Sequence, residues 1–467
     1  MVKTDPRVTS VPGKPSLLLG GFDLATVGYQ ANEFFVSGTA SSYLPDGQWG
    51  AKPSGEAEYT TRVVALTPTD EATFNGTVIV EWVNVSGGID APAVWMMAHR
   101  EVMREGFAYV CVSAQKVGVD GGGNTITGFD FSLKTQDPQR YSELNHPGDD
   151  FAYDIFTQAG SLVKGGGDSG LLGGLTSEGV LAVGESQSAI FLTTYANLID
   201  PIVATYDGIL VHSRFGPAAP LDGTALLDIE KAGTLAPAPF RPDLRVPVIT
   251  VITETDLLGG VLPGYAAART PDNERFRAWE IPGTAHADNY TIKLGFTDSG
   301  FLSVEELADG FAPTNSLMGQ ELPYSINFAP QHHYVLQAAI AKLNEWVRTG
   351  RPAPAAAPIT LTDAEPAAFA FDANGIAEGG VRTPWVDVPV ARTSGAPEGD
   401  NPMTMLFGSG EMFDAAVLAR LYPGGAAEYL KRFTEALDNA IESGFIRPAD
   451  RQEILALAAA GFPAESD

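Results

Sequence analysis

The stretch Leu181–Phe191, LAVGESQSAIF, decides how the whole chain is read. An apolar run, VLAV, passes directly into Gly184-Glu185-Ser186-Gln187-Ser188 and then into a helix-compatible segment. A strand-to-helix turn of the form G-x-S-x-G strains the backbone of its central serine and exposes the hydroxyl as a nucleophile. The positions two before and two after that serine must be small, because strand and helix nearly touch there. Gly184 meets this demand, and Ser188 adds only a Cβ and a hydroxyl where the motif carries glycine. The competing reading makes Ser186 an ordinary helix N-cap, a role serine often fills. The pentapeptide alone does not choose between them.

Outward from this turn, strand-like and helix-like runs alternate. Upstream lie GTVIVEWVNV, a helical segment from Ala93 to Glu105, FAYVCVSAQ and the helical DDFAYDIFTQAGSLV. Downstream come QSAIFLTTYANLI as a helix and YDGILVHS, VPVITVIT and RFRAWEIPG as strands. Alternation of this kind predicts an α/β fold with a mostly parallel, doubly wound sheet covered on both faces. Residues 1–70, with NEFFVSG and YTTRVVALTP, read as an N-terminal antiparallel β extension. The core then spans 71–350 and ends on the amphipathic QHHYVLQAAIAKLNEWVRTG. Within it, about 215–245 breaks the rhythm with FGPAAPLDG and LAPAPFRPD and is expected to form a cap or lid. Residues 351–467 read as a stiff Pro/Ala linker, an extended stretch GGVRTPWVDVPVA and a helical C-terminal extension from about Phe413 to Ala460. The glycine clusters VDGGGN and VKGGGDSGLLGG lack the order of a phosphate or dinucleotide loop and read as plain loops.

Composition excludes several classes of function. With 467 residues, 44% of them hydrophobic, the chain can bury a large core. A formal net charge of −28 argues against nucleic acid or an anionic membrane as partner. The single cysteine, Cys111 in FAYVCVSA, rules out intramolecular disulfides and cysteine-based zinc sites, and reads as a small buried apolar residue. No apolar run reaches the length of a membrane span, and the N-terminal residues show no signal peptide, so a cytoplasmic location is expected. No cofactor or metal is expected.

A serine is a poor nucleophile near neutral pH unless a base takes its proton. Of the six histidines, His286 lies in the Gly-containing loop after the strand RFRAWEI, where a triad of order serine, acid, histidine would place its base. His332 and His333 open a helix and are weaker rivals. The acid loop is ETD after VPVITVIT. It offers Glu254 and Asp256, with Asp256 favoured because it stands a little further beyond the strand. An oxyanion hole needs backbone N–H donors. Gln187, next to the nucleophile, supplies one, and Val85 or Ser86 in the loop Asn84-Val85-Ser86-Gly87-Gly88 supplies the other.

The segments EFFVSGTA, FNGTVIVEWVNVSGG, VSAQKVGV, GESQSA, ETD, PGTAHAD, GGVRTPWVDVP and FDAAVLARLYP together resemble the bacterial "alpha/beta hydrolase domain-containing" branch of the α/β-hydrolase superfamily. The resemblance runs from about Phe34 to Ala460. It implies an α/β-hydrolase fold, and a serine esterase acting on carboxylic esters, a small-molecule substrate, with Ser186 as nucleophile and His286 as base. It leaves the choice between Asp256 and Glu254 open. Acyl transfer, or lactone or amide hydrolysis, on the same residues is the nearest alternative. A non-catalytic binding protein of the same fold is a more distant one.

Overall fold

A computed structural model describes residues 6–122, 125–165, 169–224, 226, 235–260, 262–364, 366–396 and 402–463. The central sheet has nine strands: β1 (Arg7–Val11), β2 (Tyr29–Pro45), β3 (Ala51–Pro68), β4 (Thr77–Trp82), β5 (Ala108–Val112), β6 (Gly179–Glu185), β7 (Gly208–His212), β8 (Val248–Thr253) and β9 (Phe276–Ile281). Their spatial order is β1-β2-β3-β5-β4-β6-β7-β8-β9. The first three strands and β5 pair antiparallel. From β5 through β9 every pairing is parallel. The alternating pattern therefore forms the parallel sheet it predicts, and the N-terminal residues form its antiparallel edge.

Burial explains the strand composition. Each of β4 to β8 lies between two helical layers, so nearly every residue is apolar, and successive side chains serve opposite faces. In β4, Val78, Val80 and Trp82 point into one core and Ile79 into the other. The first layer is built by α2 (Ala152–Val163) and α3 (Gln187–Thr194), whose Phe156 and Phe191 rings lie 4.9 and 5.1 Å from Trp82. The second holds α1 (Ala93–Arg104), where Trp95 meets Tyr109 edge-on, and α5 (Gln331–Thr349). A short helix, α4 (Glu254–Leu258), follows β8 between these two in the chain. Trp82 and Trp95 are thus core residues. Cys111 is buried in β5.

The C-terminal residues fold back on the second layer. Helices α6 (Gly425–Glu442) and α7 (Arg451–Gly461) contribute Tyr429, Phe433, Leu437 and Ile454 to the same core as Val335 and Trp346 of α5. Ion pairs lock the contact: Glu453 to Arg100 at 2.8 Å and Asp450 to Arg104 at 2.6 Å. The stretch GGVRTPWVDVPVA is not extended throughout. Pro384–Asp387 turns into a short helix, because proline suits the first helical position, where no intrahelical N–H is needed. Of the expected lid, residues 225 and 227–234 lie outside the described residues. Among the described residues, no helix is long and apolar enough to cross a membrane.

Candidate active site

Strand β6 delivers Ser186 to the C-terminal edge of the sheet. Its amide donates to the His212 carbonyl at the end of β7 (2.9 Å), which holds the turn to the neighbouring strand. Its φ of 56° and ψ of −118° place it among the few non-glycine residues with positive φ. Such a conformation costs on the order of 1–3 kcal/mol and persists only where the surroundings impose it. An N-cap serine has an extended backbone and accepts from the first helical turn; Ser186 does neither.

The small residues on either side act as the motif requires. A Cβ on Gly184 would lie 2.9 Å from Leu192 Cδ1 and 3.2 Å from Ser188 Oγ. Ser188 is more than small. Its hydroxyl donates to the Glu185 carbonyl (2.8 Å) and accepts from the Glu185 amide (3.0 Å), bridging the turn that a glycine would leave unbraced.

His286 arrives on the loop after β9. Its Nε2 lies 2.9 Å from Ser186 Oγ and its Nδ1 lies 2.6 Å from Asp256 Oδ1. The Phe215 ring stacks on the imidazole, with centroids 5.3 Å apart. Burial disfavours the charged imidazole, but the nearby Asp256 and Glu185 carboxylates outweigh it and hold the His286 pKa above the ordinary value.

The two acids of the ETD loop part company through α4. Thr253 caps this helix and forms a capping box with Asp256. Asp256 Oδ2 accepts from the Thr253 amide (2.9 Å) and hydroxyl (2.7 Å), which aims Oδ1 at the imidazole. Glu254 turns away. It accepts from the Gly283 amide (2.6 Å), the Gly395 amide (2.8 Å) and the Ser394 hydroxyl (3.0 Å). It thereby joins the acid loop, the histidine loop and the C-terminal stretch. Burial raises its pKa to about 7. The same C-terminal stretch braces the histidine loop again where the Ala287 amide donates to the Leu406 carbonyl (2.9 Å).

The loop after β4 faces the turn that carries Ser186. Asn84 Nδ2 donates to the Glu185 carbonyl (3.1 Å) and to Glu185 Oε2 (3.3 Å), while Asn84 Oδ1 accepts from the Ser86 amide (2.8 Å). Ser86 therefore spends its N–H within the loop. The Val85 amide donates to no group among the described residues, and neither does the Gln187 amide at the start of α3. A second segment is zipped to this loop. The Ile126 amide donates to the Ser86 carbonyl (2.9 Å), Thr127 Oγ1 to the Gly87 carbonyl (2.8 Å) and the Phe131 amide to the Gly88 carbonyl (2.7 Å).

His332 and His333 stay away from Ser186. His332 Nε2 meets His212 Nε2 at 2.9 Å, and His333 stacks on Tyr290 with ring centroids 4.0 Å apart. Glu185, Asn84 and Thr253 were not singled out from the sequence, although the spacing Thr253-x-x-Asp256 is a capping-box signal. Among the described residues no cluster of histidine, cysteine and acidic side chains could hold a metal ion.

Comparison with known proteins agrees with this architecture. A family profile described as "Alpha/beta hydrolase domain" matches residues 4–456. No curated protein matches. Similar solved structures include a putative dienelactone hydrolase from Klebsiella pneumoniae subsp. pneumoniae MGH 78578. It is 14% identical, the match covers 59% of this chain and 95% of that one, and the TM-score is 0.29. A thermostable esterase from Pseudomonas putida ECU1011 is 12% identical over 52% of this chain and 74% of that one, with a TM-score of 0.27. One of two fungal esterases from Rhizomucor miehei is 11% identical over 68% and 85%, with a TM-score of 0.28. Likeness of that order says nothing about substrate. The profile match covers nearly the whole chain and agrees with a parallel sheet carrying a serine turn at its edge, so the chain belongs to the alpha/beta hydrolase domain family, a family of hydrolases.

Proposed function

We propose that the chain is a serine hydrolase that cleaves carboxylic esters through an acyl-enzyme on Ser186. The observation that carries this reading is the unbroken relay from Ser186 Oγ through His286 to Asp256, at 2.9 and 2.6 Å, starting from a serine with strained backbone. In the first half-reaction His286 Nε2 takes the hydroxyl proton as Oγ bonds to the ester carbonyl carbon. The tetrahedral oxyanion accepts from the Val85 and Gln187 amides. Collapse breaks the bond to the alcohol oxygen, which leaves with the proton from Nε2. In the second half, water gives its proton to Nε2, adds to the acyl carbon and releases the acid, and the proton returns to Oγ. Asp256 holds the imidazole with Nδ1 protonated, leaving Nε2 free to accept.

Turnover of p-nitrophenyl acetate, with labelling by a fluorophosphonate probe, tests this reading. The Ser186→Ala variant is expected to fold, with an unchanged melting temperature, and to lose both turnover and labelling. Wild-type turnover persisting in that variant overturns the proposal.

A further inference from the structure

We propose that Glu185 is a positioning residue for this reaction, a second carboxylate that bears on the catalytic imidazole from the side opposite Asp256. The inference rests on the serine hydrolase reading above and concerns a residue that reading does not use.

The geometry is specific. Glu185 Oε1 lies 3.4 Å from His286 Nε2, the nitrogen that exchanges protons with Ser186. Asp256 occupies Nδ1, so the imidazole stands between two carboxylates. Glu185 is not free to swing away. Its backbone is clamped on both sides by the Ser188 hydroxyl, and its Oε2 accepts from Asn84 Nδ2. Only 13% of its side chain is exposed, so its charge is poorly screened. Asn84 also accepts from the Ser86 amide, so one side chain links the carboxylate to the loop that carries Val85.

The timing of the charge gives the residue its effect. In the resting site Nε2 offers a lone pair, and a carboxylate beside it gains nothing. Once Nε2 holds the proton, in either tetrahedral intermediate, the same carboxylate faces a cation. It therefore favours the imidazolium over the neutral ring and makes His286 a stronger base. Burial opposes the charge on Glu185, and the histidine beside it favours it. Burial raises its pKa to about 7; His286 and His332 pull it down and Asp256 pushes it up. His212 also faces this cluster, but burial and its histidine neighbours keep its pKa well below the ordinary value, so it adds no charge at neutral pH. Asp288 lies behind His332, 3.4 Å from its Nδ1. Glu185 and His286 then titrate as a coupled pair, and the acid limb of kcat/KM belongs to both.

The test compares kcat/KM against pH for p-nitrophenyl acetate in wild type, Glu185→Gln and Glu185→Ala. A merely structural role for Glu185 would change the height of the profile and leave the limb where it is. Loss of the charge lowers the basicity of His286, so both variants are expected to shift the acid limb to lower pH. For a displacement of about one unit, activity relative to the plateau rises about fivefold one unit below the wild-type midpoint. A limb that stays in place in folded, active Glu185→Gln overturns the inference. Ser186→Ala distinguishes this failure from a failure of the underlying reading. If that variant is dead and the limb is unmoved, only the role of Glu185 falls. If it stays active, the serine mechanism falls with it.

Discussion

Exchanging the two acids of the ETD loop for their amides, one at a time, separates the chemistry from the scaffold. In Asp256→Asn the new side chain must satisfy three neighbours with one carbonyl and one NH2. The Thr253 amide and hydroxyl both donate to Oδ2, at 2.9 and 2.7 Å, and both are buried. Turning the NH2 toward them would leave two buried donors unpaired, at about 1–3 kcal/mol each. The carbonyl therefore stays on Thr253 and the NH2 faces His286 Nδ1. That nitrogen must then accept, the ring proton moves to Nε2, and Nε2 can no longer take the Ser186 proton. The productive tautomer becomes unfavourable by about 2–6 kcal/mol, which at 1.36 kcal/mol per decade lowers kcat/KM by about 30-fold to somewhat more than 10⁴-fold. Glu254→Gln meets a different problem. Its carboxylate serves the Gly283 and Gly395 amides and the Ser394 hydroxyl, and a glutamine carbonyl covers only one side. At least one buried amide loses its acceptor, for about 1–3 kcal/mol of stability. The relay itself is untouched, so kcat/KM should stay within about tenfold of wild type while the melting temperature falls. Ester turnover and thermal melts on both variants decide the matter. A folded Asp256→Asn near wild-type activity, or a Glu254→Gln crippled 100-fold or more at full stability, refutes the assignment.

Two further outcomes follow from the same contacts. Gly88 has a φ of 76°, and a Cβ there would collide with the Phe129 carbonyl and come within 3.1 Å of Thr125 Cγ2. Gly88→Ala should therefore unzip residues 125–131 from the loop carrying Val85 and lower kcat by up to about 10²-fold, with Ser186 still labelled by a fluorophosphonate. Unchanged kcat would show that the zipper does not support the loop. The second outcome concerns stability against pH. Burial raises Glu81 to about 8 and Glu254 to about 7, from an ordinary value of 4.5. The folded chain then binds more protons than the unfolded one, so this contribution to stability is full below about pH 4.5 and is lost as pH rises through 7 to 8. Urea unfolding between pH 5 and 8.5 should show falling stability, with a shallower slope in Glu254→Gln; an unaltered slope in that variant rejects the attribution.

Much of the fold was legible because it rests on local pattern. The apolar runs of β4 to β9 and the amphipathic spacing of α5 are set by burial on one face or two, which a sequence displays directly. The helix at Pro384–Asp387 was not legible, since one proline in a short apolar stretch suits an extended segment as well as a first helical turn. The bracing of the histidine loop by the C-terminal stretch was hidden for another reason. It joins backbone groups more than a hundred residues apart, such as Ala287 and Leu406, and backbone hydrogen bonding leaves no mark on residue identity.

The site divides along the same line. By itself the sequence determined Ser186 and His286 as the candidate pair, because a strand-turn-helix with small flanking residues is a local device and the order of serine, acid and histidine is a property of the chain. Which of the two acids meets the imidazole, Asp256 rather than Glu254, appears only in the tertiary structure. Two residues apart on one helical turn they point about 200° away from each other, and the residue that meets the imidazole depends on where β9 delivers the histidine loop. The same holds for the Ser86 amide, which an asparagine side chain occupies, and for Glu185, whose carboxylate meets His286 across a hundred residues of chain. Direction and distance between side chains arise from packing. The order of residues specifies them only through the fold.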